Sequence, residues 1–499
     1  MSEEIRILQL GTKDWNDCYQ LPPYVELTFS EEFLENSKLV YDLVFVDRPL
    51  KKSELQPLCK VTKAHTLYVT DKEVWDETMQ EFYTRKCGRR ISTERIQDFL
   101  LHEARNYFSK PYGEKFPNDT IGIAQGFSGT VCWNGGCNVT LEGDFGEEFH
   151  QVAFWKRMIP VYEGQDIELW LEYAKEGDVE IVLEVTQFVQ GSISDIQQKW
   201  HFSEEELEQV VHLDNQLPLG PVFISLLAKG KGKLEVISLN DRHGRRGHGF
   251  FLPGGKRYVA SNREEIFYYF DPGDLKPPLA VYFSGYKTLQ GFEGYYMMRN
   301  MGCPMLLIAE PRLEGGSFYM GSEEYETALA DIIRNCMKEL GFTNDQVILS
   351  GLSMGTFGAL YYACDIVPHS VILGKPLASI GDVAKNERLH RPGGFPTSLD
   401  VLMKVGKGTD VEAIQRLNDR FWHKLDATEW KNTKFVISYM IEDDYDATAY
   451  QKLLAHVKGS GMKVYGKGIH GRHNDETGAI IAWFKNQYNA ILQNDFPER

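Results

Sequence analysis

The segment that most constrains the fold of this chain is Gly351-Leu352-Ser353-Met354-Gly355, a G-x-S-x-G pattern between an apolar strand and a small-residue helix. The strand is predicted over Gln346–Ser350, and the helix-compatible stretch 356–363 follows the pattern. Glycine is needed two residues before and two residues after the serine, because side chains there would clash with the neighbouring strand and helix. A structural Gly-Ser turn is the alternative. The context favours a nucleophile elbow, which lifts the Ser353 hydroxyl out of a parallel α/β sheet.

A serine nucleophile needs a base and an acid, and in this type of fold both follow it in the chain. The predicted strand Phe435–Met440 is followed by a run of acids, and the predicted strand Met462–Tyr465 by a loop with two histidines. We favour His473 over His470 as the base, because His473 directly precedes the residues that cap the last predicted helix. The candidate acids are Glu442, Asp443, Asp444 and Asp446.

Among these acids we favour Glu442, with Asp443 second, because the longer glutamate side chain reaches back further toward a histidine ring. A metal site built from both histidines and these carboxylates is a further alternative, but it leaves the elbow serine unexplained. The oxyanion hole is predicted to use the N–H of Met354 and a second N–H from the loop after Leu279–Ser284, near Gly285 or Tyr286. Gly285 as a plain turn glycine is an equally good interpretation.

Three units are expected along the chain, because 499 residues exceed what one core usually holds. Residues 1–117 alternate strands (Ile5–Leu10, Leu43–Asp47, Thr66–Thr70) with helix-capable segments (Ser30–Ser37, Lys72–Tyr83), which predicts a small α/β unit. Residues 118–254 alternate polar and apolar positions, which predicts an antiparallel β-sandwich. Residues 255–499 return to strand–helix alternation, which predicts an α/β-hydrolase fold with a cap insertion at about 376–430.

Two features of the middle unit allow more than one interpretation. Trp133, Trp155 and Trp170 are either core residues or platforms for a sugar ring, the second giving a carbohydrate-binding-like unit. The basic run 242–246 is interpreted as a solvated loop.

Composition excludes several classes of partner. The net charge of −17 disfavours nucleic acid and anionic membrane as general partners. The N-terminus resembles no signal peptide, and no apolar stretch is long enough for a transmembrane helix. The eight cysteines are scattered, without the paired spacing of a zinc site, which predicts a reduced, cytoplasmic protein. We expect no bound cofactor and no metal.

Several motifs together resemble one known family over essentially the whole chain. They are the opening IRILQLG, the elbow GLSMGTFGALYY, the acid loop YMIEDDYD and the histidine loop HGRHNDETG, and with the middle β-unit they resemble accessory secretory protein two of the streptococcal accessory Sec system. The resemblance assigns the triad to Ser353, to Glu442 or Asp443, and to His473.

The resemblance implies an α/β-hydrolase-type enzyme that O-acetylates N-acetylglucosamine on serine-rich repeat adhesins in the cytoplasm before their export. It also implies assembly with accessory secretory proteins one and three, and action with the motor ATPase and the membrane translocon. The acyl donor is expected to be acetyl-CoA. Two alternatives are an esterase or deacetylase with the same triad, and a scaffold subunit of the secretion complex in which the site is secondary.

Overall fold

The strands that the structure describes form three sheets, each built from a separate stretch of sequence. The computed structural model describes residues 4–498 apart from 34–38, 72–75, 458, 459 and 461. Within the described residues the sheets have five, nine and eight strands in chain order. The chain is therefore a mixed α/β protein, as expected.

The N-terminal sheet is parallel throughout, with the order β2-β1-β3-β4-β5. The three strands predicted here are present, each within one residue of its expected ends. The helix predicted over Lys72–Tyr83 begins only at Glu77, and residues 72–75 lie outside the described residues. Half of the helix predicted over Ser30–Ser37, residues 34–37, lies outside the described residues, and Ser30 itself ends β2. The elements are β1 (Ile5–Leu10), β2 (Val25–Ser30), β3 (Leu43–Val46), α1 (Leu55–Val61), β4 (Leu67–Thr70), α2 (Glu77–Arg85), β5 (Arg89–Ile91) and α3 (Ile96–Asp98).

The middle unit is antiparallel, as predicted, but its strands pair into one continuous sheet and not into the two facing sheets of a sandwich. Three of its strands are 18, 23 and 24 residues long and carry bulges, which bend strands and let one sheet curve around its own apolar core. The elements are β6 (Gly113–Phe116), β7 (Ile121–Ile123), β8 (Thr130–Asn134), β9 (Asn138–Trp155), β10 (Ile159–Val161), β11 (Asp166–Phe188), β12 (Ile196–Ser203), α4 (Glu204–Leu207), β13 (Val211–Asp214) and β14 (Gly220–His243).

The basic run 242–246 is not a solvated loop, and that interpretation was wrong. Arg242 lies one residue before the end of β14, has 1% of its surface exposed and forms a two-pronged ion pair with Glu265 of the third unit. Arg245 is fully buried and donates to the carbonyl oxygens of Asn106 and Phe251. The run therefore links the three units, because the guanidinium groups of Arg242 and Arg245 donate hydrogen bonds to acceptors in other parts of the chain.

Two of the three tryptophans considered for sugar stacking are core residues. Trp155 and Trp170 are buried, and the guanidinium of Arg257 lies 4.0 Å from the Trp170 ring centroid. Trp133 on β8 is 48% exposed. Only Trp133 thus remains available to a ligand in solution.

The C-terminal sheet has the order β15-β16-β18-β17-β19-β20-β21-β22. The first two strands run antiparallel to their neighbours, and the strands from β18 onward in this order are parallel. The elements are β15 (Lys256–Val259), β16 (Glu265–Asp271), β17 (Leu279–Phe283), α5 (Tyr295–Arg299), β18 (Met305–Ala309), α6 (Glu323–Leu340), β19 (Val347–Leu352), α7 (Met354–Ile366), β20 (Ser370–Gly374), α8 (Ile380–His390), α9 (Pro396–Lys404), α10 (Val411–Ala427), β21 (Lys434–Met440), α11 (Ala449–Val457), β22 (Lys463–Ile469) and α12 (Thr477–Asp495).

Helix α6 shows why local sequence predicts these elements well. Its apolar residues recur every three or four positions and are buried against the sheet. The Ser322 side chain accepts from the N–H of Tyr325 at its start, and Gly341 adopts a left-handed conformation at its end. Within the described residues, no helix combines the length and the apolar character needed to cross a bilayer.

Candidate active site

The elbow turn has the geometry that its glycines predict. Ser353 lies between β19 and α7 with φ +51° and ψ −122°, a strained conformation for a residue with a side chain. A Cβ at Gly351 would come within 2.3 Å of the backbone of Gly355, and a Cβ at Gly355 within 2.1 Å of the Phe283 carbonyl oxygen. Both glycines are therefore required for α7 to begin directly after the strand.

Ser353, His473 and Asp443 form one hydrogen-bonded series. Ser353 Oγ lies 2.8 Å from His473 Nε2, and His473 Nδ1 lies 2.9 Å from Asp443 Oδ2. Because the carboxylate accepts at Nδ1, the neutral ring carries its proton there and presents the Nε2 lone pair to the serine hydroxyl. This arrangement allows the imidazole to take the serine proton while the carboxylate stabilises the resulting imidazolium.

The Asp443 carboxylate is kept ionised although it is buried. Burial acts to raise its pKa, but the hydrogen bond from His473 and the N–H groups of Tyr445 and Asp446 outweigh burial and hold the pKa below its usual value. The two N–H donors also lock the carboxylate in place, since they bind Oδ1 and leave Oδ2 for the histidine. The backbone of His473 is held separately, by Asp444 Oδ1 at 3.1 Å.

The preference for Glu442 over Asp443 is corrected by these contacts. Glu442 accepts from the N–H of Gly471 at 2.6 Å, and its other oxygen lies 3.0 Å from His470 Nδ1, on the exposed side of the loop. The argument from side-chain length was wrong, because the turn after β21 brings Asp443 directly to the His473 ring. The shorter aspartate side chain is therefore long enough to bind it.

The other polar residues of these two loops hold other parts of the site. Asp446 accepts from the N–H groups of Ala378 and Ser379, at the entrance to the cap. His470 is mostly exposed, and both ring nitrogens of His473 are already engaged. The metal site considered for the two histidines is therefore not assembled.

The expected oxyanion-hole residues lie at the elbow, with one difference. Met354 is the first residue of α7, where a helix leaves its N–H groups without intrahelical partners. The Gly285 N–H, however, donates to Glu293 Oε2 at 2.5 Å. Among the described residues, the N–H of Tyr286 has no hydrogen-bond partner. The sequence analysis did not identify Glu293, because a single acidic residue in a glycine-rich loop has no pattern that marks it as functional.

The stretch 376–430 contains α8, α9 and α10, and two of its residues pack against Tyr445, which in turn packs against His473. The Phe395 ring lies 5.2 Å from the Tyr286 ring and 5.3 Å from the Tyr445 ring, and Tyr445 in turn lies 4.4 Å from the ring of His473. Arg391 places its guanidinium 4.1 Å from the Tyr445 ring centroid. His473 is consequently only 2% exposed, and the site is shielded from bulk water on this side.

Comparisons with known proteins place the chain in a family. Residues 5–498 match the family model described as the accessory Sec system GspB-transporter. The chain is 36% identical to an accessory Sec system protein of Streptococcus gordonii, with 99% of each chain covered. It is 35% identical to the corresponding protein of Staphylococcus aureus (strain NCTC 8325 / PS 47), covering 99% of this chain and 98% of the relative. It also resembles a chain of the Glycosylation Associate Protein (Gap123) complex from Streptococcus agalactiae, with a TM-score of 0.88, 36% identity and 99% of each chain covered.

Proposed function

This chain belongs to the accessory secretory protein 2 family of the accessory Sec system, and on that premise we propose that it is a serine-dependent O-acetyltransferase. The acceptor in this proposal is N-acetylglucosamine on a serine-rich repeat adhesin, and the acyl donor is acetyl-CoA. The observation that carries the proposal is the series from Ser353 Oγ through His473 to Asp443 at the carboxyl ends of parallel strands. The strand order of the C-terminal unit supports an α/β-hydrolase-type fold.

The first half-reaction forms an acyl-enzyme. His473 Nε2 takes the proton of Ser353 as its oxygen attacks the acetyl carbonyl, and the N–H of Met354 faces the oxygen that becomes negative. The protonated ring, stabilised by Asp443, then gives its proton to the leaving thiolate of the donor. The acetyl group ends as an ester on Ser353, and free thiol leaves.

The second half-reaction uses the same residues in reverse. His473 takes the proton of a sugar hydroxyl, that oxygen attacks the acetyl ester, and the proton returns to Ser353 as the acetylated sugar leaves. Water gives hydrolysis in place of transfer, so exclusion of water decides between acetyltransferase and esterase. His473 is buried under Tyr445, which is itself packed against Phe395, and this shielding favours transfer.

We further propose a second role, as a scaffold subunit that assembles with accessory secretory proteins one and three and acts with the motor ATPase. Two units of the chain have cores of their own and contribute no side chain to the Ser353–His473–Asp443 series. The similar chain from Streptococcus agalactiae belongs to a complex, which supports this role. In this proposal the protein works in the cytoplasm or peripherally at the membrane translocon.

The experiment compares cells that carry wild-type protein, Ser353→Ala or His470→Ala as a matched control. Mass spectrometry of the adhesin glycans measures acetylation, and the amount of adhesin at the cell surface measures export. We expect Ser353→Ala to remove acetyl groups from N-acetylglucosamine while glycosylation and export persist, and His470→Ala to resemble wild type. Identical acetylation in all three strains would overturn the acetyltransferase role and leave the scaffold role.

A further inference from the structure

Three potential metal ligands meet on one face of the middle sheet, outside the C-terminal unit. Asp166 and Glu168 are two residues apart on β11, so their side chains point to the same face. His212 on β13 lies directly opposite Glu168 in the antiparallel register. One ligand atom from each of the three residues lies within 4.8 Å of the other two.

The contacts inside this cluster leave one acid without a partner. His212 Nδ1 lies 3.2 Å and 3.1 Å from the two oxygens of Asp166. Glu168 is only 4% exposed, yet no residue that the structure describes donates a hydrogen bond to its carboxylate. An unpartnered buried carboxylate is costly, because it loses its hydration without compensation. Glu168 thus points to a missing positively charged partner.

The nearby arginines do not satisfy this carboxylate directly. Arg242 gives both terminal nitrogens to Glu265 and its Nε to Gln290. Arg257 also donates its Nε to Glu265, at 2.5 Å. These arginines therefore donate no hydrogen bond to the Glu168 carboxylate.

The backbone at Gly244 leaves room for the side chains of Asp166 and Glu168. A Cβ at Gly244 would lie 2.0 Å from Asp166 Oδ2 and 3.1 Å from Glu168 Cγ. Glycine at this position therefore keeps the space in which the two carboxylates lie. His212, whose side chain is 46% exposed, opens the cluster to solvent on the other side and offers an entry path for an ion.

We propose that Asp166, Glu168 and His212 form a binding site for one divalent transition-metal cation of the Zn²⁺ type. One imidazole nitrogen and two carboxylate oxygens form a donor set that such ions accept, and three protein ligands leave a coordination position for water. The bound ion replaces the contact between His212 and Asp166 and supplies the partner of Glu168. Because its ligands come from β11 and β13, it clamps β13 to the sheet.

The test uses the full-length chain, stripped with EDTA and titrated with ZnCl₂ by calorimetry, with MgCl₂ as the comparison ion. Glu168→Gln and His212→Ala remove one ligand each. The matched control is His201→Ala, since His201 lies 2.8 Å from Glu184 across the neighbouring strand pair, and the part of the chain that the structure describes places no third ligand beside them. Melting temperatures in EDTA show whether each variant is folded, and absorption of the Co²⁺-loaded protein reports the ligand set independently of activity.

We expect one Zn²⁺ per chain, no comparable Mg²⁺ binding, and a higher melting temperature with Zn²⁺. Both ligand variants should weaken Zn²⁺ binding by more than roughly 10-fold, because removal of a residue that only hydrogen-bonds to a metal ligand already costs about that much. His201→Ala should bind like wild type. The proposal is overturned if wild type binds no Zn²⁺, or if His212→Ala and His201→Ala bind equally. It is also overturned if Glu168→Gln leaves Zn²⁺ affinity unchanged, which would indicate neutralisation of Glu168 by Arg257.

Discussion

Asp443 Oδ2 lies 2.9 Å from His473 Nδ1, whereas the preceding residue, Glu442, binds His470 on the exposed side of the same loop. We therefore expect Asp443→Asn to lower kcat roughly 10²- to 10⁴-fold, as loss of the acid does in other serine triads. Glu442→Gln should remain close to wild type. Steady-state acetyl transfer by the purified variants measures both. A larger loss in Glu442→Gln than in Asp443→Asn would contradict the assignment.

Ser353→Ala should abolish transfer with a loss on the order of 10³-fold or more, because no other group at the elbow can carry the acetyl ester. The fold should survive, since alanine fits the same turn. Ser350→Ala is the control, because its hydroxyl is buried and bonds Val281 and Tyr488. That variant should lower the melting temperature while the folded fraction stays active. Intact-mass detection of an acetyl-enzyme in Ser353→Ala would refute the nucleophile.

His473→Ala should match Ser353→Ala in its loss of rate, because residues that act as one unit give similar and non-additive losses. His470→Ala should keep most of the activity, since its ring is exposed and contacts Glu442. The double variant Ser353→Ala/His473→Ala should be no slower than either single variant. The assignment fails if His470→Ala is the inactive protein.

Glu293 accepts from the Gly285 N–H at 2.5 Å and so fixes the backbone just before Tyr286, whose N–H we expect to act as the second oxyanion donor. Glu293→Ala should reduce kcat on the order of 10²-fold, similar to removal of one oxyanion donor, with little change in KM. Glu293→Gln keeps an oxygen that accepts from Gly285, and it should retain most of the rate. A faster Glu293→Ala enzyme would instead indicate that the carboxylate blocks Gly285 as the donor.

Asp400 of the cap helix α9 accepts from the N–H of Gly136, in the β8–β9 hairpin of the middle unit, at 2.9 Å. Asp400→Ala leaves this N–H unpaired and should destabilise the chain by about 1–3 kcal/mol. It should also raise the ratio of hydrolysis to transfer, because a looser cap admits water to the acetyl-enzyme. Asp400→Asn retains an acceptor oxygen and is the control. Unchanged stability and product ratio in Asp400→Ala would show that the hairpin does not position the cap.

The local sequence was enough to predict those parts of the site that depend on short-range contacts. The elbow depends on two glycines within two residues of Ser353, and the clashes that exclude other side chains are short-range. The ends of helix α6 also depend on short-range contacts, because its apolar spacing and its Ser322 and Gly341 caps all lie within or next to the helix. His473 was chosen from its place before the last helix, and it lies 2.8 Å from Ser353.

Tertiary structure decided the contacts between distant segments. Four acids follow β21, and only the turn itself shows that Asp443 faces His473 while Glu442 faces His470. The basic run 242–246 was interpreted as a solvated loop, because two of the acceptors that bury it, Glu265 on β16 and Asn106 in the N-terminal unit, lie more than twenty residues away along the chain. Spacing along the chain specifies which residues can share a turn, a strand or a helix face. Which charged groups become partners depends on how separately formed units pack, because burial makes each unpaired charge costly.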